Sequence, residues 1–386
     1  MANNTSAIYT KALLPLTLKR LVAAMEGLKY VRNDISGQAA EKNESIIIPL
    51  NLEQGEARDF DGETVAQDLN ARSKTISLQK HKEYTFTLTD KEMLEIQNNI
   101  VLNDAVNMAV NAIAKAPVMD FYNLYKEVYN FSGTASANSY SVNDIILAED
   151  KLFEKLVDDA TVCALSNRAY TQLNIEMKNA GAYNNEIAGR VLTSGQLPPI
   201  SNSGIFKDQL LTKLKHTAGT ASAKTLSTSG VTAAGATSIV VDGLAAGDTF
   251  VVGDLLEVND GSGQQFVVTA DVTAAGATAT VAVSPKVETE IADGVSLTMI
   301  GDHPVNLIYT RDFAIFAMRS LSNPTAELGL DGVNSLQEVL VDPNTGISMR
   351  FEAHRIPKKK AFEWTFDILY AVETIDPIYA CRILTA

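Results

Sequence analysis

The stretch VTAAGATSIVV at residues 231–241 is answered 41 positions later by VTAAGATATVAV at residues 272–283. Such a doublet is one unit of a long array, a duplicated piece of one small domain, or an accident of Ala/Gly/Thr-rich composition. Only two copies exist, and a solenoid needs at least three units to bury a continuous core, so the array is set aside. Both copies lie between Thr217 and Gly301, where Ala, Gly, Thr, Ser and Val dominate. The short runs TSIVVDG, LLEVND, QQFVVTADV, TATVAVS and VSLTMI are separated there by Gly-Asp, Asp-Gly and Ser-Gly turns. Short strands at regular spacing predict a small barrel or sandwich. The Ala-Ala-Gly-Ala stretch reads as a turn and the β-branched run after it as a barrel strand. Residues 218–301, 84 in all, are therefore read as an inserted small all-β barrel domain. Its two ends must lie close together for the chain to re-enter the body.

Working outward, the flanks have a different texture on both sides. Residues 9–29 carry Leu13, Leu16, Leu18, Leu21 and Leu28 at roughly helical spacing. SIIIPL (45–50) reads as a strand, with Pro49 suggesting an edge. NLEQGEARDFDGETVAQDLNARSKTIS is charged and poor in aliphatics, so it cannot build a core of its own. KTISLQ and EYTFTLT alternate with period two. Residues 45–89 thus read as an extended, charged, two-stranded excursion that lies on a partner or projects into solvent. TDKE (89–92) is a capping box that opens a long helix. Its rows Met93-Ile96-Ile100, Val101-Ala105-Met108-Ala112 and Leu102-Val106-Ala109-Ile113 predict a wide buried face, with Pro117 ending or kinking it and MDFYNLYKEVYN resuming it. SVND (141–144) caps a further helix carrying Ile145, Leu152, Phe153, Leu156 and Val157. TVCALS (161–166) reads as a buried strand before a helix, NRAYTQLNIEMKNA. That order signals an α/β or α+β core. GRVLTSGQLPPISNSGI reads as loop and edge strand. Beyond Gly301, HPVNLIYTRDFAIFAMRSL mixes helix and strand signals. ISMRFEAHRI and AFEWTFDILYAVETI alternate around PKKK, an antiparallel hairpin with a basic tip.

The totals bound what such a chain does. At 386 residues and 41.5 kDa it suits two or three domains. With 46% hydrophobic and 20% charged residues it can bury a core and is not disordered. A net charge of −14 opposes tight phosphate binding, which needs Lys and Arg to displace counterions. An acidic wall that confines DNA without holding it stays open. The two cysteines, Cys163 and Cys381, have no CxxC or Cys/His spacing, so neither a disulfide framework nor a zinc site is indicated. The opening MANNTSAIYTKALLPLTLKR lacks an uncharged apolar region, and no run reaches membrane-spanning length. The expectation is a soluble intracellular product.

No catalytic constellation emerges. Walker A, HExxH and GxSxG patterns are missing from the sequence. His81, His216, His303 and His354 have no partner at metal spacing and read as surface or interface histidines. GDTFVVGD lacks the Lys-Ser/Thr of a phosphate cradle. DFDGE (59–63) lacks the twelfth-position Glu of a calcium loop and reads as solvated or partner-facing. RIPKKK reads as a charged hairpin tip, and Cys163 as an inert buried strand residue. No catalytic, metal or cofactor site is assigned, and no cofactor is expected.

The segments KYVRNDISGQ, SIIIPL, YTFTLTDKE, CALSNRAYTQL, LPPISNSGI and VDPNTGISMRFEAHRIPKKKAFEWTFDILYAVETIDPIYACRIL run in order through almost the whole chain. In this arrangement the chain resembles the major capsid (coat) proteins of tailed double-stranded DNA bacteriophages, with the Hong Kong ninety-seven fold. It is most similar to the branch with an inserted β-barrel, as in short-tailed Salmonella phage coat proteins. The last block is the most specific. The resemblance implies an α+β phage capsid fold: N-terminal arm 1–44, extended loop 45–89, spine helix and peripheral domain 90–139, axial domain 140–217, inserted barrel 218–301, and 302–386 as axial return and peripheral closing strands. It implies self-assembly of hexamers and pentamers into an icosahedral shell around packaged DNA. Scaffolding and portal proteins would be partners, assembly would occur in the bacterial host cytoplasm, and no membrane would be involved. Inter-subunit contact candidates in or beside the loop are Glu56, Arg58, Asp59, Arg72 and Lys74. Some lines of the family cross-link through a Lys–Asn isopeptide bond; Lys74 and Lys80 lie in this region, but no local motif carries the bond over. The alternatives are a nanocompartment shell of the same fold around cargo enzymes, an enzyme with a β-rich binding module, and a phage surface adhesin.

Overall fold

A computed structural model describes residues 14–34, 45–49, 73–95, 100–135, 140–157, 161–180, 197–201, 203–319, 321, 335–342 and 347–385. The chain divides into two compact units: Met1–Val118 with Ile315–Ile375, and Met119–Ala314 with Asp376–Ala386.

The first unit is built on a six-stranded sheet. Its path runs Arg32–Asp34, Ala314–Arg319, Ala361–Thr374, Ser348–Ile356, Ser335–Val341, and Lys80–Thr89 pairs with Ala361–Thr374. The alternation of ISMRFEAHRI and AFEWTFDILYAVETI resolves as expected. Ser348–Ile356 and Ala361–Thr374 form an antiparallel hairpin around Pro357–Lys360, with Ile356 opposite Ala361. One face gathers Phe86, Phe351, Trp364 and Phe366, ring centroids 5.1 to 6.4 Å apart. On the other, buried Asp367 accepts from Arg350 Nε at 3.1 Å and lies 3.0 Å from His81 Nε2.

Two expectations change here. EYTFTLT is not part of the excursion: Lys80–Thr89 pairs along its whole length with Ala361–Thr374. Its half-buried Tyr84, Phe86 and Leu88 face supplies the apolar side that a sheet strand needs. The two-stranded sheet consists of Ser45–Pro49 and Ser73–Ser77, with Ile47 opposite Thr75. The long helix also differs. Thr89 N and Oγ1 both donate to Glu92 Oε2 at 2.8 Å, and Glu92 N donates back to Thr89 Oγ1 at 3.3 Å, so the capping box forms. After Asp90–Glu95, the helix Ile100–Asn123 continues through Pro117. Pro117 is buried, as are Ile113, Ala114 and Val118; burial of this apolar surface offsets the missing N–H, which costs about 3 kcal/mol in a helix interior. Among the described residues, Val106, Ala109 and Ile113 are buried as expected, while Met108 of the second row is 65% exposed; the row Met93-Ile96-Ile100 lies outside the described side chains.

The second unit joins a five-stranded sheet to a closed barrel. The sheet order is Phe131–Ser132, Ala380–Ile383, Asn306–Tyr309, Thr161–Leu165, Ser203–Lys207. Segments from before and after the insertion thus interleave. The helices Val142–Glu154 and Asn167–Ala180 belong to the same unit, and Ile145, Leu152, Leu173, Cys163 and Ile308 share one core. Among its described residues HPVNLIYTRDFAIFAMRSL contains no helix: it forms His303–Pro304, Asn306–Tyr309 and Ala314–Arg319. Burial on both faces gives Asn306–Tyr309 its unbroken run of buried residues and hides the period-two signal.

The barrel closes in the order Ser238–Asp242, Thr278–Ser284, Gln265–Val268, Leu255–Val258, Ser296–Met299, Leu226–Thr228. Five of these strands are the five runs read from sequence; Leu226–Thr228 is the missed sixth. The repeat has a structural counterpart in strand register. A shift of 42 carries Ile239 onto Val281, 40 carries Leu226 onto Phe266, and 41 carries Leu256 onto Leu297; all six are core residues. The same shifts convert the pairs Val241↔Thr228 and Asp242↔Ser227 into Val283↔Val268 and Ser284↔Val267, as observed. They convert Leu255↔Val267 and Leu256↔Phe266 into Ser296↔Ser227 and Leu297↔Leu226, also observed. The barrel is therefore two copies of a three-stranded unit related by an approximate two-fold axis. VTAAGAT leads into equivalent strands in each copy, with Gly235 at φ +85° in the first turn.

An excised 218–301 fragment is expected to fold alone. Circular dichroism and amide dispersion check this: a β-type spectrum with dispersed amides is expected, and an unstructured fragment contradicts a self-contained barrel.

Candidate functional site at the neck of the barrel

The chain leaves the body through Lys215–His216 and returns through His303–Pro304. The two segments pair antiparallel, with His216 opposite His303. Ala218 N donates to Asp302 Oδ1 at 2.8 Å, closing the mouth of the insertion. Both imidazoles are buried, with ring centroids 5.1 Å apart. The reading of His216 and His303 as surface or interface histidines is corrected in part: they line an interface, but inside the chain. They stand 87 residues apart, so no local spacing could link them. The available signal was that each lies within two residues of an end of the insertion.

Three further elements converge on this pair. His216 Nε2 donates to Asp254 Oδ1 at 2.8 Å, and its Nδ1 lies 3.1 Å from Tyr125 OH. Tyr125 belongs to the short 3-10 turn Leu124–Glu127 that follows the long helix. Asp254 is wholly buried and accepts from Val251 N at 2.7 Å and Gly219 N at 3.3 Å. A buried carboxylate needs such donors, because losing water costs several kcal/mol. Arg382, from Ala380–Ile383, is buried too. Its Nη1 donates to Gly253 O at 2.8 Å, and its guanidinium lies 5.0 Å from the Tyr125 ring centroid. Its Nε and Nη2 have no hydrogen-bond partner among the described residues. Burial works against the charge of Arg382, and Tyr125 and Asp254 oppose that effect. Burial raises the Tyr125 phenol, Arg382 pulls it back, and Asp254 pushes it up again. His303 Nδ1 donates to Gly301 O at 2.9 Å, and its Nε2 has no partner among the described residues. Burial holds its imidazole down to about 4; the Gly301 carbonyl opposes this, and Arg382 and His216 add to it.

Beside this polar cluster is an apolar seat. Leu255 and Val267 point outward from the barrel and are buried against Tyr129, Phe131 and Leu384. Gln265 acts as an extra rung: Phe131 N donates to its Oε1 at 3.1 Å, and its Nε2 donates to Phe131 O at 3.3 Å. The two-fold mates of Leu255 and Val267 are Ser296 and Ser227. Each copy contributes one residue of the apolar pair and one of the serines, so only one of the two outer faces related by the two-fold is apolar at this position, and that face meets the body. The unbroken apolar runs in LLEV and QFVV were the sequence sign of this second buried face. The rim pair Lys155–Glu288, 3.0 Å apart, is exposed and contributes little.

Of the sequence-derived contact candidates, Glu56, Arg58, Asp59 and Arg72 lie outside the described residues. Lys74 lies on the strand Ser73–Ser77, where its Nζ donates to Thr374 O and is 4.0 Å from Glu373. It touches its own chain and is not brought together with the cluster. Cys163 is fully buried in its strand, its thiol pushed up to about 12 chiefly by burial. Among the described residues no His/Cys/Asp/Glu group is arranged to hold a metal, and no helix is long and apolar enough to cross a membrane.

No family model and no curated protein matches the chain. Among solved structures, it is similar to one described as Mycobacterium phage Che8, with TM-score 0.48, 11% identity, and 92% of this chain and 89% of that chain covered. It is similar to the capsid structure of the cyanophage P-SCSP1u, with TM-score 0.45, 10% identity and 92% and 86% covered. It is also similar to a virus-like particle from Pyrococcus furiosus, with TM-score 0.39, 6% identity and 95% and 96% covered.

A pair of glycines related by the two-fold tests the neck. Gly253 has φ +99°, and a Cβ there would lie 3.2 Å from His216 Cε1 and 3.1 Å from Lys126 Cγ; Gly294 has φ +72° and open space. Both Ala substitutions carry the left-handed cost of about 1–2 kcal/mol. In thermal unfolding Gly253→Ala is expected to lose more stability than Gly294→Ala. Equal losses contradict a tightly fitted neck.

Proposed function

We propose that this chain is a structural, non-enzymatic major capsid subunit that self-assembles into an icosahedral shell enclosing the DNA of a tailed phage. The observation that carries the reading is the ordering of its elements. A separate two-stranded arm precedes a ten-residue sheet strand that leads through a capping box into the long helix. A strand-then-helix segment follows, then a closed inserted barrel, then returning strands that complete sheets begun before it. This order agrees with the one the sequence resemblance leads one to expect, and the inserted barrel supports a reading within the barrel-bearing branch. Hexamers and pentamers of the chain itself, a scaffolding protein and a portal are the partners in this reading, and host cytoplasm is the place of assembly. The net charge of −14 suits a wall that lets DNA move without gripping it.

Sedimentation velocity tests the reading. Purified protein is expected to run as capsomers or shells, or to assemble on addition of scaffold. Charge reversal at Glu56, Arg58, Asp59 or Arg72 is expected to reduce the assembled fraction more than it lowers monomer stability. A stable monomer under every assembly condition contradicts the function, and equal damage to assembly and folding contradicts an inter-subunit role for the loop.

A further inference from the structure

We propose that the neck is an acid-sensitive latch, which lets the barrel lift from its seat as pH falls while the barrel itself stays folded. The inference concerns the joint within one chain and does not depend on the shell reading. Its basis is geometric: every ionisable side chain at the centre of the neck is buried, and their charges are nearly balanced. The 3-10 turn contributes Tyr125, with Lys126 beside Gly253. The outgoing segment contributes His216 next to exposed Lys215, and the turn 251–254 contributes Asp254. The returning segment contributes His303 next to Asp302, whose carboxylate is engaged by Ala218 N. The last strand contributes Arg382. One buried carboxylate thus faces one buried guanidinium.

A further proton on His303 has a poor place to go. His303 Nδ1 already donates to Gly301 O, so protonation must occur at Nε2, which has no acceptor among the described residues. The resulting imidazolium would sit against the His216 ring and in the field of Arg382. Opening the neck exposes His303 to water, where it takes a proton at its ordinary value of 6.5 instead of about 4. Since the closed-state value is depressed, the closed neck is favoured fully above about pH 6.5, and that advantage is lost progressively down to about pH 4. Between about pH 7.5 and about pH 5 the opening equilibrium is expected to rise about thirtyfold.

The barrel's own ladder contains no such group. Ser238–Asp242 and Thr278–Ser284 pair through residues with no histidine among them, so the ladder is expected to keep its protection as the neck opens. Opening also exposes Leu255 and Val267.

Amide hydrogen exchange on the full chain, corrected for intrinsic rates, tests the latch. At about pH 5, protection of the Ala218, Gly219, Val251 and Gly253 amides is expected to fall about thirtyfold relative to about pH 7.5. Protection across Ser238–Asp242 is expected to hold. His303→Asn, whose amide can replace the Nδ1 donor, is expected to remove the pH dependence at the neck. Neck protection unchanged with pH overturns the proposal, as does a parallel loss in the barrel ladder or a variant that keeps the wild-type slope. If the variant does not fold, the wild-type comparison of neck with ladder still decides.

Discussion

The buried contact between His216 and Asp254 is the constraint on which the second unit depends. A chain that leaves a body for 84 residues and returns must bring its two crossings together and fix the excursion against the body. The strand pair at the mouth does the first. It spans only two residues on each side, too few for ladder hydrogen bonds alone to hold a domain. The carboxylate of Asp254 does the second, since it engages His216 on the outgoing crossing and the backbone of Gly219 just inside the barrel. Arg382 ties the same turn to the last strand of the body. Because these groups are buried, removing Asp254 leaves the Arg382 charge uncompensated, and removing Arg382 does the same to Asp254, a loss on the order of 3–5 kcal/mol.

The duplicated barrel explains why this joint is one-sided. Two equivalent units would offer two equivalent outer faces. The chain breaks the symmetry with a few residues: Leu255 and Val267 where the mate has Ser296 and Ser227, and Asp254 where the mate has Val295. The interior keeps the symmetry, because a closed barrel is filled by alternating inward residues whatever lies outside. Specific attachment thus comes from outward positions on one face of the barrel, to which both copies contribute.

Much of this was legible in the sequence because it is local or periodic. The capping box at Thr89, the hairpin around Pro357–Lys360 and five of six barrel strands follow from short-range spacing. Leu226–Thr228 was missed because three residues are too short to show a period. Lys80–Thr89 was assigned to the excursion because its partner, Ala361–Thr374, is nearly three hundred residues away. Pro117 misled for the opposite reason: the local rule is right, but burial around it outweighs the local cost. The neck was least legible. Its members are Tyr125, His216, Asp254, His303 and Arg382, which share no spacing; only the fold brings them together. The loop candidates Glu56, Arg58, Asp59 and Arg72 rest on charge pattern and resemblance alone.

In the proposed reading, the two-stranded sheet ahead of the body, the body split around a duplicated barrel and the buried neck belong to a subunit that assembles. Cryo-electron microscopy of the expressed protein tests that claim most directly. The account predicts closed shells or ring-shaped capsomers built of this chain, with the barrel visible as a discrete lobe on each subunit. Fields of isolated monomers, with and without scaffold, would contradict it.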